Sequence, residues 1–245
     1  MKRKIFLASS LSAALAGCSA VGTKLNGNAR FHDLLGAVEP LDRTLIGTHG
    51  LAREYPASAI SAHFPMNSLP TPMDAYYMQV VNNGYRPFSL RVDGAVERPM
   101  TLSYAALQKV ARQQQITRHD CVEGWSAIAA WSGPRLSDVL ALVKPRPDAR
   151  YVIFHCMDRD DQGLPYYESL DLRQASHPQT LLATGMNGKP VPPEHGGPVR
   201  LRVPTQLGYK SAKWVRHIEV VGTFAQVGGA GGYWEDQGYE WYAGI

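Results

Sequence analysis

Residues 187–214 read NGKPVPPEHGGPVRLRVPTQLGYKSAKW, and proline, glycine and basic side chains recur throughout this segment. Proline and glycine favour extended backbone and tight turns, which leave peptide N–H groups available to a ligand. The pattern is typical of an anion pocket that suits phosphate. A solvated basic loop beside an amphipathic strand is the alternative. The side chains that would add donors to such a pocket are His195, Arg200, Lys210 and Lys213.

A second distinctive segment, residues 119–126, reads HDCVEGWS and places Cys121 among polar groups. A cationic neighbour such as Arg118 favours the thiolate, which is both a soft metal ligand and a nucleophile. These residues alone leave three interpretations open. Cys121 is a buried small apolar side chain, a metal ligand, or the nucleophile of a Cys/His hydrolase that uses one of the eight histidines as its base. Zinc is less favoured, because no second cysteine stands at C-x-x-C spacing.

The N-terminus predicts an export signal over residues 1–17. A basic start precedes an apolar stretch that is too short to span a bilayer. Residues 15–18 read LAGC and resemble the bacterial lipobox, in which the cysteine becomes the lipidated first residue. Residues 3–7, RKIFL, resemble the twin-arginine export motif with one lysine replacement. We therefore expect a protein in the periplasm or on the outer face of a bacterial membrane, with a possible lipid anchor at Cys18.

The cysteine count leaves one further alternative open. The chain has three cysteines, and lipidation of Cys18 would leave only Cys121 and Cys156. In an oxidising compartment these two could form a disulfide bond. Otherwise Cys121 is kept for metal chemistry.

Charge and motif content exclude several function classes. Of 25 basic residues, three lie in the export signal, which leaves 22 against 21 acidic residues in the remainder. A near-neutral protein lacks the basic footprint of a nucleic-acid binder, so we expect no nucleic-acid partner. No Walker loop and no G-x-G-x-x-G motif after a strand is found, which argues against a nucleotide-binding fold.

The remaining pattern predicts one α+β domain. Residues 18–60 lack sustained periodicity and predict a tether, the domain is expected at residues 61–224, and residues 225–245 form an aromatic C-terminal tail. We expect this tail to pack on the domain, or alternatively to dock an electron partner. The predicted strands are Phe88–Val92, Tyr151–Phe154, Val199–Val203 and Ile218–Val221, with a turn at Asp93-Gly94. The predicted helices are Leu102–Val110, capped by Thr101 or Ser103, and Leu136–Val143, capped by Ser137.

Together the two motifs resemble the sulfite oxidase family of molybdopterin-binding domains, with CVEGWS followed roughly 75 residues later by HGGPVRLRVP and GYKSAKW. The resemblance covers about residues 62–222. It implies a sulfite-oxidase-type α+β fold of mixed β-sheets and short helices, with Mo-molybdopterin at one pterin per molybdenum. Cys121 is then the only protein ligand to the metal. The sequence after residue 224 does not resemble the family's C-terminal dimerisation domain, so we expect none.

The same resemblance assigns residues to the cofactor. It implies that His195 and Arg200 hold the phosphate and ring system of the pterin. The stretch from Ser211 to Lys213 contributes amides and an ammonium group. Cys156 replaces a small polar residue of the relatives near the cofactor. No disulfide is expected, because Cys121 is occupied by the metal. The full set of implied cofactor residues is Asn67, Pro70, Thr71, Cys121, Cys156, His195, Arg200, Ser211, Ala212 and Lys213.

The region around the cysteine departs from sulfite oxidase itself. At the positions where that enzyme binds sulfite through arginines, this chain has Met66 and residues 122–126, which include no arginine. The negative charge of Glu123 would in addition repel sulfite. CVEGWS and the stretch PYYESL at residues 165–170 are instead similar to the branch of periplasmic protein-methionine-sulfoxide reductases. This implies catalytic roles for Cys121, for Tyr166 as a hydrogen-bond donor to substrate or metal oxo group, and for Glu123 in tuning local protonation.

These inferences predict an exported molybdenum–pterin oxidoreductase that reduces an S-oxide or N-oxide, either a small molecule or a group on a protein. Haem-attachment, iron–sulfur and flavin motifs are absent from the sequence, so electrons must come from a separate partner such as a membrane haem protein or a cytochrome. Two alternatives remain. One is a molybdenum oxidase of a small anion or organosulfur compound, and the other is a non-catalytic cofactor-binding lipoprotein.

Overall fold

The computed structural model describes residues 50–66, 69–223 and 229–245. The predicted export signal, the lipidation of Cys18, and Asn67 lie outside these residues. Within them, every helix is too short or too polar to cross a bilayer.

Strands dominate the described part of the chain. A five-stranded sheet has the order β2-β1-β11-β5-β6, in which only β1 and β11 run parallel, and a four-stranded antiparallel sheet has the order β3-β4-β8-β9. Strands β10 and β7 form a separate antiparallel pair. The strands are β1 (Ser89–Gly94), β2 (Met100–Ser103), β3 (Arg112–Asp120), β4 (Ser126–Pro134), β5 (Tyr151–Arg159), β6 (Pro165–Asp171), β7 (Leu181–Ala183), β8 (Gly185–Met186), β9 (Lys189–Pro190), β10 (Arg200–Arg202) and β11 (Val215–Val221).

The helices are few and short. Three of them begin at a side-chain cap, where Asp74, Ser103 and Asp171 each accept a hydrogen bond from a backbone N–H three residues later. They are α1 (Ala75–Asn82), α2 (Tyr104–Leu107), α3 (Leu136–Val143) and α4 (Leu172–Ala175), with single 3-10 turns at Ala57–Ala59, Pro193–His195, Gly208–Lys210 and Glu235–Gln237.

Three predictions of local structure were wrong. The predicted turn at Asp93-Gly94 lies inside β1, where both residues pair with β11. The predicted helix 102–110 is limited to α2, because Leu102 pairs with β1 as part of an edge strand. Helix α3 has the predicted bounds, but Ser137 does not cap it. The N-cap is Arg135, which makes no capping bond and instead forms a β-bridge with Leu181.

Two groups of buried apolar side chains stabilise the domain. The larger one joins the five-stranded sheet to α1 and α3, with Phe154 and Trp214 fully buried. The smaller one surrounds the fully buried Trp131 of β4. Burial of side chains of this size contributes about 1.5–3 kcal/mol each, before the entropy of ordering is subtracted.

Segments at both ends of the domain sequence are attached to it by hydrogen bonds. Tyr55 N–H donates to Ile116 O at 2.9 Å, so the last residues of the predicted tether 18–60 lie against β3. In the C-terminal segment, Leu207 N–H donates to Ala243 O at 2.8 Å and Ile245 N–H donates to Thr205 O at 3.1 Å. Residues 229–245 therefore pack on the domain, in the same compact unit.

Candidate cofactor and substrate site

A cavity of about 80 Å³ brings together both sequence motifs. Cys121 reaches it from the turn between β3 and β4, Tyr166 from β6, and Arg200 from the start of β10. The C-terminal segment closes another side. The lining residues are Cys121, Val122, Glu123, Asp158, Tyr166, Arg200, Gly208, Tyr209, Ser211, Ala212, Lys213, Trp234 and Tyr239.

A tight turn fixes the position of Cys121. Its N–H donates to Trp125 O at 2.9 Å, and Gly124 N–H donates to Cys121 O at 3.1 Å. Gly124 has a φ of +88°, which glycine adopts at low cost. The thiol is largely buried at the cavity wall, and Cys121 and Cys156 do not form a disulfide bond. The disulfide alternative is therefore wrong for this fold.

Two buried cations face the cavity. Arg200 is 1% exposed and Lys213 is 6% exposed. Burial lowers the pKa of Arg200 to about 10, and burial followed by the charge of Arg200 lowers the pKa of Lys213 to about 7. Arg200 Nη1 donates to His195 O at 3.0 Å, but its buried Nε has no hydrogen-bond partner among the described residues. An anion in the cavity would relieve the cost of both buried charges.

Asp158 is a site residue that the sequence analysis missed. It is 1% exposed and lines the cavity, and its Oδ1 atom has no hydrogen-bond partner in the described structure. Burial raises its pKa to about 7. The available signal was an acidic residue in β5, directly after the apolar Cys156 and Met157. A half-protonated carboxyl at this position suits a ring that carries N–H donors and acceptors.

Tyr166 is buried in the cavity wall, and its hydroxyl donates to Tyr209 O at 2.8 Å. Burial raises the pKa of this hydroxyl well above its usual range, so it stays protonated. Because a hydroxyl has one proton, the predicted donor role toward a substrate requires that this bond be broken. The exposed Glu123 accepts a hydrogen bond from Trp125 Nε1 at 2.9 Å and lines the same cavity.

The other predicted cofactor residues line two further cavities. Pro70, Thr71 and Cys156 lie around one, and His195 lies in the other. Burial followed by the charge of Arg200 lowers the pKa of His195, so the imidazole is electrostatically linked to the cation cluster. The structure thus brings together Cys121, Glu123, Tyr166, Arg200, Ser211, Ala212 and Lys213, and places Pro70, Thr71, Cys156 and His195 outside that lining.

The donor set fits a pterin-bound metal. One thiol, two buried cations beside the backbone of residues 211–213, and a buried carboxyl can hold, respectively, a soft metal, a phosphate and a nitrogen-rich ring. The sequence model of the family described as oxidoreductase molybdopterin binding domain matches residues 77–226.

The chain belongs to this family. The predicted sulfite-oxidase-type fold, the Mo-molybdopterin cofactor and the assignment as an oxidoreductase are therefore confirmed.

Curated relatives lie within the same family. A candidate protein-methionine-sulfoxide reductase subunit, YedZ1, of Azospira oryzae is 40% identical over 202 residues, which cover 82% of this chain and 70% of the relative. The protein-methionine-sulfoxide reductase catalytic subunit MsrP of Xanthomonas campestris is 40% identical over 145 residues, which cover 55% of this chain and 45% of the relative. This chain thus matches less than half the length of the second relative.

A solved structure supports the fold alone. The sulfane dehydrogenase SoxCD from Paracoccus pantotrophus superposes with a TM-score of 0.51 at 20% identity. The match covers 72% of this chain and 46% of the other. At this identity the likeness carries no statement about substrate.

Proposed function

We propose that this oxidoreductase reduces the sulfoxide of a methionine sulfoxide side chain to the thioether. The observation that carries the proposal is the 40% identity, over 82% of the chain, to a relative whose name refers to protein-methionine-sulfoxide reductase. The reaction consumes two electrons and two protons, forms water from the sulfoxide oxygen and leaves a thioether. When bound, the molybdenum–pterin group supplies the two-electron redox couple for this oxygen-atom transfer.

Cys121 is proposed as the metal ligand, because its position in the turn after β3 is fixed by two backbone hydrogen bonds. Arg200 and Lys213, with the backbone of Ser211 and Ala212, would hold the cofactor phosphate, which is supported by the two buried charges that face the cavity. Asp158 would hydrogen-bond the pterin ring. The roles of Asn67, Pro70, Thr71, Cys156 and His195 toward the cofactor remain predictions from the family resemblance.

Glu123 and Tyr166 are proposed to act on the substrate side. Glu123 is exposed and lines the cavity, so its carboxyl can exchange protons with solvent and pass one toward the leaving oxygen. Tyr166 would orient the sulfoxide oxygen if its hydroxyl turns away from Tyr209. A carboxylate beside the cysteine also disfavours sulfite, since like charges repel.

Electrons are proposed to come from a separate partner, a membrane haem protein or a cytochrome, because the sequence has no motif for a second redox cofactor. The predicted export signal at residues 1–17 supports the proposed periplasmic location, and the LAGC sequence at residues 15–18 supports the proposed lipid anchor on Cys18. Such an anchor would hold the domain beside a membrane partner and raise its effective concentration there.

The test uses mature protein from a host that makes molybdopterin. We expect about one molybdenum per chain, and oxidation of a reduced viologen dye on addition of a methionine-sulfoxide peptide. Dimethyl sulfoxide and trimethylamine N-oxide serve as comparison substrates, and sulfite oxidation is measured in parallel. Metal-loaded protein that oxidises sulfite and reduces no sulfoxide would contradict the proposal and favour the alternative molybdenum oxidase.

A further inference from the structure

The cavity is polar at its buried wall and aromatic at its opening. Arg200 and Asp158 are each 1% exposed, whereas Val122 is 42% and Tyr239 is 40% exposed. The two exposed residues therefore mark the side that meets solvent. A substrate that enters past them meets these apolar side chains, together with the exposed Glu123, before it reaches the thiol and the buried charges.

The C-terminal segment supplies this aromatic wall. The rings of Trp234 and Tyr239 lie 5.3 Å apart between centroids, and Tyr239 meets Tyr209 edge to face at 5.3 Å. Tyr239 N–H donates to Trp234 O at 3.0 Å, which closes the chain around Gly238 at a φ of +97°. This turn brings the two rings to the same wall although four residues separate them in sequence.

The wall is fixed to the domain on both sides of Trp234. Glu235 forms a buried ion pair with Lys210, the neighbour of the cavity-lining Ser211. Tyr233 stacks on Tyr166 with centroids 5.3 Å apart and donates to Asp160 Oδ2 at 2.9 Å. The aromatic wall is therefore preorganised, and a ligand need not order it on binding.

The chemistry of this wall selects a class of group. Aromatic faces bind methyl and thioether-like groups through dispersion and sulfur–π contact, and their negative quadrupole disfavours anions. Glu123, on the same cavity, disfavours anions further. A dialkyl sulfoxide matches this arrangement, because its carbon substituents are apolar and its oxygen is the single strong acceptor.

We propose that Trp234 and Tyr239 form a specificity subsite that binds the S-methyl and methylene groups of a methionine sulfoxide side chain. The inference rests on the proposed function and adds the residues that select the substrate. The exposed position of Tyr239 leaves the subsite open to a side chain that is still attached to a peptide.

The test compares Trp234→Leu and Tyr239→Leu holoenzymes with the wild type, with rates expressed per bound molybdenum. Tyr55→Leu, which removes an aromatic ring outside the cavity, is the matched control. We expect the KM for an N-acetylated methionine-sulfoxide peptide to rise about 2- to 10-fold in each cavity variant, with kcat within about twofold. Titration of the oxidised enzyme with the same peptide, without reductant, should give an equal rise in Kd.

An unchanged KM and Kd in both cavity variants, with an active wild type, would overturn the subsite and leave the proposed function standing. A wild type that carries molybdenum and reduces no sulfoxide would overturn both. An equal rise in KM and Kd in the Tyr55→Leu control would also contradict the proposed subsite, since the rise would then not depend on a residue of the cavity.

Discussion

Glu235 of the C-terminal segment forms an ion pair with Lys210 in which the two side chains are 0% and 1% exposed. Glu168 of β6 accepts a hydrogen bond from the same ammonium group. Two buried carboxylates thus share one lysine. Burial, with the added charge of Glu235, raises the pKa of Glu168 well above its usual range although Lys210 opposes the shift. This shift favours the protonated form of Glu168.

This cluster predicts unequal effects of two substitutions. Lys210→Met leaves the buried carboxyl groups without their cation and should lower the free energy of unfolding by about 3–5 kcal/mol. Glu168→Gln mimics the protonated acid and keeps the ion pair between Lys210 and Glu235. It should therefore lower the free energy of unfolding by less than about 1 kcal/mol. Urea unfolding at pH 7 measures both. If both substitutions lower the free energy of unfolding by the same amount, Glu168 is ionised in the native state.

Cys121→Ser should lower the molybdenum content and abolish turnover, because the metal loses its thiolate ligand, while the fold is retained, because serine replaces a largely buried thiol of similar size. The measurement is elemental analysis of the purified variant, with circular dichroism as the check on folding. Cys156→Thr is the control and should keep the metal, since Cys156 lines a different cavity. A Cys121→Ser protein with full metal content and full turnover would disprove the ligand assignment.

Lys213→Met should lower the amount of cofactor that survives purification, because it removes one of the two buried cations from the cavity. A charge-assisted hydrogen bond of this kind contributes about 1.5–3 kcal/mol, or roughly 10- to 100-fold in affinity. Lys189→Met, at an exposed lysine of β9, is the matched control. Pterin released by denaturation is quantified by fluorescence, and equal retention in both variants would count against a phosphate site at Lys213.

Asp158 should make the stability of the apoprotein fall with pH. Burial raises its folded-state pKa to about 7, whereas an unfolded carboxyl titrates at about 4. Between these values the native state binds a proton that the unfolded state has lost, so the contribution of Asp158 to stability is most favourable below pH 4 and decreases up to about pH 7. Asp158→Asn should remove this pH dependence. At pH 8 its free energy of unfolding should exceed that of the wild type by up to about 4 kcal/mol.

Thermal unfolding of the apoproteins from pH 4 to pH 8 tests this prediction. Burial and the charge of Arg200 lower the pKa of Lys213 to about 7, so this lysine is largely neutral at pH 8. Replacing Asp158 at that pH therefore removes little favourable charge interaction with Lys213. Parallel curves for wild type and variant would contradict the assignment of a raised pKa to Asp158.

Local sequence predicted structure well where one face of an element is buried. Helix α3 has the expected bounds because its apolar spacing matches the residues that pack inward, among them Leu136 and Leu140. Asp93-Gly94 was wrongly predicted to be a turn. The glycine at position 94 is required by a contact with a strand that is distant in sequence. A Cβ at that position would lie 2.2 Å from Val220 O on the adjacent parallel strand. Nothing in residues 88–94 identifies a partner more than 120 positions away.

The site residues also fall into those that the local sequence predicted and those that depend on distant contacts. Cys121, Arg200 and Lys213 could be predicted because each stands in a distinctive motif, and the fold brings all three to one cavity. Asp158 could not be assigned, since only its burial and its unpartnered oxygen separate it from an ordinary strand residue. The aromatic tail was expected to pack on the domain. That Trp234 and Tyr239 line the cavity depends on a turn at Gly238 and on the pairing of Glu235 with Lys210.

The position of β11 at the centre of the five-stranded sheet has a consequence for biosynthesis. Residues 89–171 contain the other four strands, which emerge from the ribosome as two separate pairs with open edges. Only Val215–Val221, which is translated after all four, can join them. Strand pairing across so large a sequence separation is slow, and open edges invite aggregation. The two earlier pairs therefore need protection of their open edges until β11 has been translated, and the five-stranded sheet can be completed only after that point.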